Sequence, residues 1–234
     1  MSALVSVRIG RAVTRKHSSV IYGFVVVRAK DPAVRELLVE RAARMLRGRE
    51  PITIRALVAG TGVSTMAVYT YFGGMDGLWM AVRQEGFTRL AAILEESQVS
   101  DDPVRDLVAL GSAYVSNALA NPDLYRVMFD DTIELADPLA ADETLRYLVR
   151  AVERAKLAGR LSDAVVASDL ATQCWIIGHG LTSLVATGPL SGDVLDYGAT
   201  MLTALLIDAG DEPAQCARSV ADGWGAHRLD VGDV

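Results

Sequence analysis

Residues 62–72, GVSTMAVYTYF, form an uncharged run in which hydroxyl-bearing and apolar side chains alternate. Thr65, Tyr69 and Thr70 end in hydroxyl groups, which can donate and accept hydrogen bonds. A core helix would carry more Leu and Ile, whereas a solvated helix would carry more Glu and Lys. The run therefore predicts a surface that binds a polar partner through hydrogen bonds.

The residues around this run predict two short helices joined by a tight turn. Thr53 is suited to cap a helix from residue 54 to about residue 60, and Ser64 is suited to cap a second helix that ends near residue 72. Gly62 supplies the turn between them. Two short helices with a Gly-containing turn are the outline of a helix-turn-helix. The hydroxyl-bearing face of the second helix lies opposite Val68.

A helix-turn-helix binds double-stranded DNA by placing its second helix in the major groove. Hydroxyls and N–H groups at helix starts contact phosphates, while Thr and Met side chains can contact base edges such as the thymine methyl group. The predicted DNA-contacting residues are Arg44, Thr53, Arg55, Ser64, Thr65, Met66, Tyr69, Thr70 and Tyr71. The alternative interpretation is an all-helical segment that has a tight turn and no role in DNA binding.

Residues 53–82 resemble the TetR family of bacterial transcriptional regulators. They fit the pattern Thr-x-x-x-(Leu/Ile)-Ala-x-x-x-Gly-Val-Ser-x-x-x-(Val/Leu)-Tyr-x-Tyr-Phe-x-x-Lys-x-x-Leu with two departures, Val58 for the Ala and Met75 for the Lys. The resemblance implies a homodimer bound to palindromic or near-palindromic operator DNA, with repression as the usual action. Met75 removes one expected phosphate contact, which basic residues at the start of the chain could offset.

Charge is distributed unevenly along the 234 residues, whose formal net charge is -6. Residues 1–99 contain 14 basic and 8 acidic side chains, so a basic end could face phosphates while an acidic body stays away from them.

The two cysteines, Cys174 and Cys216, lie far apart. They predict neither a disulfide framework nor a zinc site and fit a reducing cytoplasm. We expect no metal, no cofactor and no membrane span.

The first 30 residues contain six basic and no acidic side chains, which is typical of a basic, disordered arm. The apolar run at residues 20–27 is too short to cross a bilayer. A signal peptide is the alternative, although no small-residue cleavage pattern follows the run. A mis-assigned start codon is a further alternative.

Helical periodicity predicts an all-α fold of about nine helices and no strand. We expect a helix-turn-helix domain at 31–79, a ligand-binding and dimerisation domain at 80–210, and a flexible Gly- and Asp-rich tail at 211–234. A helix at about 76–97 joins the two domains.

The second half of the chain resembles the variable C-terminal domain of TetR regulators. The segments NPDLYRVMF (121–129) and WIIGHGLTSL (175–184) look like a subset that carries a Trp-x-x-x-His-Gly signature. Helices at about 164–186 and 192–209 are apolar on most faces, which suits a four-helix dimer interface formed by two copies.

A small-molecule pocket is expected in this domain, because aromatic and Met side chains line apolar cavities. The candidate pocket residues are Tyr114, Tyr125, Met128, Phe129, Leu145, Leu148, Trp175 and His179. The alternative is that they are ordinary core residues, with His179 a hydrogen-bonded core histidine.

Motifs of known enzyme classes are absent, since the sequence has no GxSxG, no P-loop and no HExxH. We therefore predict a non-enzymatic DNA-binding regulator, released from its operator by an apolar or amphipathic effector. The alternative is a regulator without a small-molecule ligand, controlled by a protein partner or constitutive; its C-terminal core would have no cavity.

Overall fold

A computed structural model describes residues 31–137, 139–186 and 188–226 of the chain. These residues contain no strand, and they form ten α-helices and one 3-10 helix, which confirms the all-α prediction. The bounds are α1 Pro32–Arg47, α2 Ile54–Val58, α3 Thr65–Phe72, α4 Met75–Glu95, α5 Pro103–Ala120, α6 Pro122–Met128, α7 Leu139–Leu157, α8 Ala167–Ala186, a 3-10 helix Gly192–Leu195, α9 Asp196–Asp208 and α10 Pro213–Trp224. The basic arm expected at residues 1–30 lies outside the described residues.

An N-terminal apolar cluster holds α1, α2 and α3 against the first half of α4. Leu38, Leu57, Val68 and Leu78 are fully buried at its centre, one from each helix. Asp31 caps α1, because its carboxylate accepts a hydrogen bond from the Ala33 N–H. The short helices are therefore stabilised by burial of one face rather than by their own propensity.

A larger apolar cluster forms the body of the protein from α5, α7, α8, α9 and α10, together with the second half of α4. The short helix α6 contributes to both clusters. Its Leu124 is buried in the N-terminal cluster, while Tyr125 and Met128 are buried in the body. Gly86 of α4 permits this contact, since a Cβ there would lie 2.4 Å from Met128 Cγ.

A partly buried ionic network connects the loops at one end of the body. Arg160 forms two hydrogen bonds with the Asp211 carboxylate, from Nε at 2.7 Å and from Nη2 at 2.8 Å, and a third with Asp102 at 2.8 Å. Ser219 of α10 hydrogen-bonds both Arg160 and Asp102. Burial by itself would raise the pKa of Asp102, but these hydrogen bonds and the Arg160 charge outweigh it and lower the pKa below its usual value. The carboxylate is therefore held ionised.

The predicted flexible tail at 211–234 is wrong for residues 213–224, which form α10; residues 227–234 lie outside the described part. Cys216 and Val220 of α10 are buried against the body, and Trp224 is 8% exposed. The Glu212 carboxylate caps the helix by accepting hydrogen bonds from the Ala214 and Gln215 N–H groups. The Gly and Asp content suggested fraying, but the apolar residues at helical spacing determine the outcome.

Gly223→Ala is expected to lower the free energy of unfolding by about 1–3 kcal/mol, because a Cβ there would lie 2.4 Å from the Arg105 carbonyl oxygen of α5. The matched control is Gly111→Ala within α5, where a Cβ meets nothing within 4 Å. Its higher helix propensity should raise stability by up to about 1 kcal/mol. Urea unfolding of both variants measures this, and equal effects would show that α10 does not dock as described.

Candidate nucleic-acid interface and ligand cavity

The turn between α2 and α3 is built by glycines and one threonine. Gly60 and Gly62 have φ of 72° and 74°, in the left-handed region that favours glycine. The Thr61 hydroxyl donates to the Val58 carbonyl at 2.7 Å and accepts from the Val63 N–H at 3.1 Å. The left-handed Gly60 explains why α2 ends at Val58, two residues before the predicted end. The turn therefore sets the angle at which α3 leaves α2.

Helix α3 presents one buried and one exposed face. Val68 is fully buried, whereas Met66 is 65% and Tyr69 is 53% exposed. Thr65 and Thr70 are also exposed, and the Thr70 hydroxyl donates to the Met66 carbonyl within the helix. The apolar surface of Met66 and Tyr69 is unfavourably exposed to water, and contact with a partner surface would bury it.

Three other predicted DNA-contacting residues have hydroxyls whose roles differ. The Thr53 hydroxyl caps α2 by accepting from the Ala56 N–H at 3.2 Å, and the half-buried Tyr71 hydroxyl accepts from the Asp31 N–H at 2.8 Å. Ser64 holds the N-cap position of α3, but its side chain makes no capping hydrogen bond, contrary to the prediction. The exposed Ser64 side chain is therefore not committed to capping.

Exposed arginines lie on the neighbouring helices. Arg44 near the end of α1 and Arg55 in α2 are both exposed. Met75, which stands where the resemblance places a Lys, begins α4 and packs half-buried against the N-terminal cluster. This position therefore contributes packing and no charge.

A cavity of about 320 Å³ lies in the body. Five of the eight predicted pocket residues line it: Tyr114, Phe129, Leu145, Leu148 and Trp175. Lining residues that the sequence analysis missed include Arg83, Phe87, Leu110, Cys174, Leu202 and Trp224. The missed residues, which also include Ala141, Asp142 and Thr144 of α7, come from six helices and have no shared sequence signal, because long-range packing brings them together.

Tyr125, Met128 and His179 do not line the cavity, which corrects their expected position. The Met128 side chain is instead packed against Gly86. Tyr125 and His179 contact the lining residues Tyr114 and Phe129. They therefore support the cavity wall from outside the cavity.

The buried Tyr114 and Tyr125 and the half-buried His179 form a hydrogen-bonded cluster. The His179 Nδ1 lies 2.9 Å from the Tyr114 hydroxyl and 2.8 Å from the Tyr125 hydroxyl, which are themselves 3.2 Å apart. Burial lowers the pKa of His179 and raises the pKa of Tyr125 to about 12. Both groups are therefore uncharged at neutral pH, and the cluster serves as a hydrogen-bonded core element.

Helices α8 and α9 expose large apolar side chains that the body does not cover. Ile176 is 57%, Tyr197 is 62% and Met201 is 46% exposed. Val166 and Leu184 of the same region are also exposed. These residues lie in or next to the two segments that the sequence predicted for dimerisation.

Part of the chain matches a known family model. Residues 107–209 match the family model described as "Tetracyclin repressor-like, C-terminal domain". A protein of unknown function from Rhodococcus sp. RHA1 is 26% identical, with a TM-score of 0.65 over 76% of this chain and 96% of that one. A regulatory protein of the TetR family from Rhodococcus RHA1 is 20% identical, with a TM-score of 0.57 over 76% and 97% of the two chains. The chain has the fold of the TetR-family regulators.

One curated relative gives a shorter match. The transcription antitermination protein NusB of Halorhodospira halophila is 37% identical over 67 residues, which are 28% of this chain and 42% of NusB. The chain thus spans less than half of that relative, whereas the TetR-like fold extends over most of both chains in the structural comparisons.

The described residues offer neither a metal cluster nor a membrane-spanning helix. Within the described residues, no group of three or more His, Cys, Asp or Glu side chains is arranged to hold a metal ion. None of the helices from α1 to α10 combines the length and the hydropathy that crossing a bilayer requires.

Acidification from pH 7.5 to pH 5.5 is expected to destabilise this TetR-like fold through His179. The folded-state pKa lies below the ordinary 6.5, so below pH 6.5 the unfolded chain binds the proton first and stability falls. The loss should be at most about 1.4 kcal/mol. Asp102 and Asp106 have pKa values lowered from 3.8 and lose their stabilisation only in more acidic solution.

The variant His179→Asn keeps a hydrogen-bonding side chain and does not titrate in this range. Thermal melts at the two pH values should therefore show a smaller pH-dependent loss for the variant than for the wild-type protein. An equal loss in both proteins would mean that His179 titrates normally.

Proposed function

We propose that this protein is a homodimeric DNA-binding transcriptional regulator that represses from a palindromic operator and is released by an apolar or amphipathic effector. The observation that carries the proposal is the exposed, uncharged face of α3 in a TetR-like fold that also contains a cavity of about 320 Å³. The resemblance of the Trp175–Gly180 segment to the Trp-x-x-x-His-Gly subset supports a ligand-binding body.

In the proposed complex, α3 enters the major groove. Met66 and Thr65 contact base edges, and the Tyr69 hydroxyl contacts a phosphate. Arg44 and Arg55 add sequence-independent affinity by neutralising phosphates. The two α3 helices of a dimer would occupy successive major grooves about 34–36 Å apart.

Dimerisation is proposed through α8 and α9. Their exposed apolar side chains, which include Ile176, Tyr197 and Met201, would be removed from water by the same surface of a second copy. The apolar face is flanked by small residues such as Ala204, which would permit close helix packing.

We favour control by a small-molecule effector over the alternative of a regulator without a ligand, because the body contains a cavity. A core filled with side chains would have favoured control by a protein partner. Among solved structures, RolR in complex with resorcinol is similar in fold, with 17% identity and a TM-score of 0.56 over 81% of this chain and 94% of RolR. For the effector to release DNA, it must bind the DNA-free conformation more tightly than the DNA-bound one.

The signal would pass through α4, whose two halves belong to the two clusters. Arg83 in the middle of α4 lines the cavity and donates to the Met128 carbonyl at 2.9 Å and to the Ile133 carbonyl. Leu78 near the start of the same helix is buried under α3. A shift of α4 would therefore change the separation of the two α3 helices in a dimer.

Tyr69→Ala should weaken DNA binding by about tenfold or more without lowering thermal stability, because Tyr69 is exposed and its loss removes a contact only in the complex. An operator is first selected from fragmented genomic DNA and from random-sequence duplexes. Fluorescence anisotropy across a salt series then gives the affinity. The control is Leu157→Ala, which truncates an 88% exposed apolar residue at the end of α7.

The regulator proposal requires saturation at two subunits per site and a loss that is specific to Tyr69→Ala. The proposal of sequence-specific DNA binding through α3 fails if no sequence is enriched. It also fails if both variants bind like the wild type, with an affinity that depends only on salt.

Met75→Lys should strengthen operator binding by about tenfold at low salt and steepen the dependence of log affinity on log salt by about one unit, since it adds one phosphate contact. The matched control is Met75→Gln, which is polar and uncharged. A gain that is equal for both substitutions, or independent of salt, would contradict a phosphate contact at the start of α4.

A further inference from the structure

We propose that the effector is an organic anion: a carboxylate on an aromatic body, which enters the cavity and pairs with the guanidinium of Arg83. The inference rests on the proposed function, because it names the charge and the chemical class of the effector for the same cavity. An effector that is only apolar or amphipathic has no defined charge. A carboxylate has one negative charge and a defined partner in the wall.

Arg83 is a half-buried arginine without a carboxylate partner. Six arginines of the described residues are half-buried: Arg41, Arg83, Arg89, Arg105, Arg154 and Arg160. The last four of these form ion pairs with Asp or Glu side chains. Of the two without an ion pair, only Arg83 lines the cavity. Because a guanidinium does not lose its proton in proteins, the wall carries a positive charge that no side chain neutralises.

The guanidinium lies at the end of α6 and has a nitrogen left to donate. Its Nε donates to the Met128 carbonyl at 2.9 Å, and its Nη1 donates to the Ile133 carbonyl. Phe129, the residue after Met128, lines the cavity, which places the guanidinium beside the lining.

The third guanidinium nitrogen, Nη2, is available to a ligand. It makes no hydrogen bond with the described residues, and it is not one of their buried atoms that lack a partner, so it remains accessible. A guanidinium has five N–H donors, so a carboxylate can bind at Nη2 without first breaking the two bonds to the backbone. Hydrogen bonds between two charged groups are stronger than those between neutral groups.

The other charged residue of the wall is in a different environment. Asp142 also lines the cavity, but it is exposed near the start of α7 and forms no ion pair with Arg83. Solvent screens an exposed charge more strongly than a half-buried one. Burial raises the pKa of the Cys174 thiol to about 12, so this lining residue is neutral. The wall therefore favours a ligand anion over a ligand cation.

The rest of the lining sets the body of the ligand. Phe87, Phe129 and Trp175 line the cavity, and aromatic rings pack well on a flat aromatic body. A cavity of roughly 150 Å³ with apolar walls holds benzene. The present cavity of about 320 Å³ is therefore suited to a naphthalene-sized body that carries a carboxylate.

The test compares three probes of similar size and shape: naphthoate, naphthamide and naphthylmethylammonium. Isothermal titration of the full chain measures the affinity of each probe. Naphthoate should bind about tenfold or more tightly than the other two, because only its head is an anion that pairs with the guanidinium. Equal or tighter binding by the amide or the ammonium would overturn the inference, and so would failure of all three probes to bind.

The role of Arg83 is isolated by Arg83→Gln, which removes the charge and keeps a side-chain donor. The ratio of naphthoate to naphthamide affinity should fall about tenfold in this variant, whereas Arg83→Lys, which keeps the charge, should retain most of the preference. A purely structural role would weaken both probes equally and leave the ratio unchanged, which would overturn the assignment.

The matched control is Arg89→Gln, which changes another half-buried arginine of α4. Arg89 pairs with Glu40 and Glu85 and does not line the cavity, so the ratio should stay that of the wild type. An equal fall in Arg89→Gln would show that the ratio reports the packing of α4 and would overturn the assignment. The comparison of the three probes uses the wild-type chain and does not depend on the folding of any variant.

The same measurements distinguish failure of this inference from failure of the proposed function. Operator binding that depends on Tyr69, together with a probe preference that ignores Arg83, would overturn the inference and leave the DNA-binding regulator standing. A preference for naphthoate that requires Arg83, in a chain that enriches no operator, would support the anion site and overturn the proposed function.

Discussion

The packing of α6 between two apolar clusters is the contact on which the rest of the architecture depends. Leu124 belongs to the cluster beneath the helix-turn-helix, and Met128, one turn later, belongs to the body. The missing Cβ of Gly86 lets α4 lie directly against Met128. Because α4 also belongs to both clusters, a displacement of α4 or α6 would disturb the packing of both.

The body contains two groups of hydrogen-bonded polar side chains, one charged and one uncharged. The Arg160, Asp211 and Asp102 network ties the starts of α5 and α10 to the loop before α8, with geometry that compensates for the burial of its charges. The Tyr114, Tyr125 and His179 cluster is uncharged and supports the cavity wall. The cavity wall next to this cluster is therefore uncharged, and Arg83 and Asp142 are the formally charged residues that line the cavity.

The sequence predicted the elements better than the contacts between them. The helix-turn-helix could be located because Thr53, Gly62 and Ser64 are local signals of caps and turns. Helix α10 was missed because its Gly and Asp residues resemble a tail, and its burial depends on the surface of α5. The cavity was predicted only in part for the same reason. Tyr125 and Phe129 are both aromatic and lie four residues apart, yet only Phe129 lines the cavity. Helical periodicity does not distinguish the two positions.

The response to an effector would depend on which cavity residues change their contacts between the DNA-bound and the DNA-free conformation. A ligand shifts a two-state equilibrium only by the difference between its affinities for the two states. Wall residues that keep the same contacts in both states would contribute affinity and selectivity but would shift the equilibrium little. Arg83 and Phe129 lie where the cavity meets α4 and the end of α6, so contacts that change there would carry the difference. Selectivity for the apolar body of an effector and the allosteric response would therefore depend on different lining residues of the same cavity.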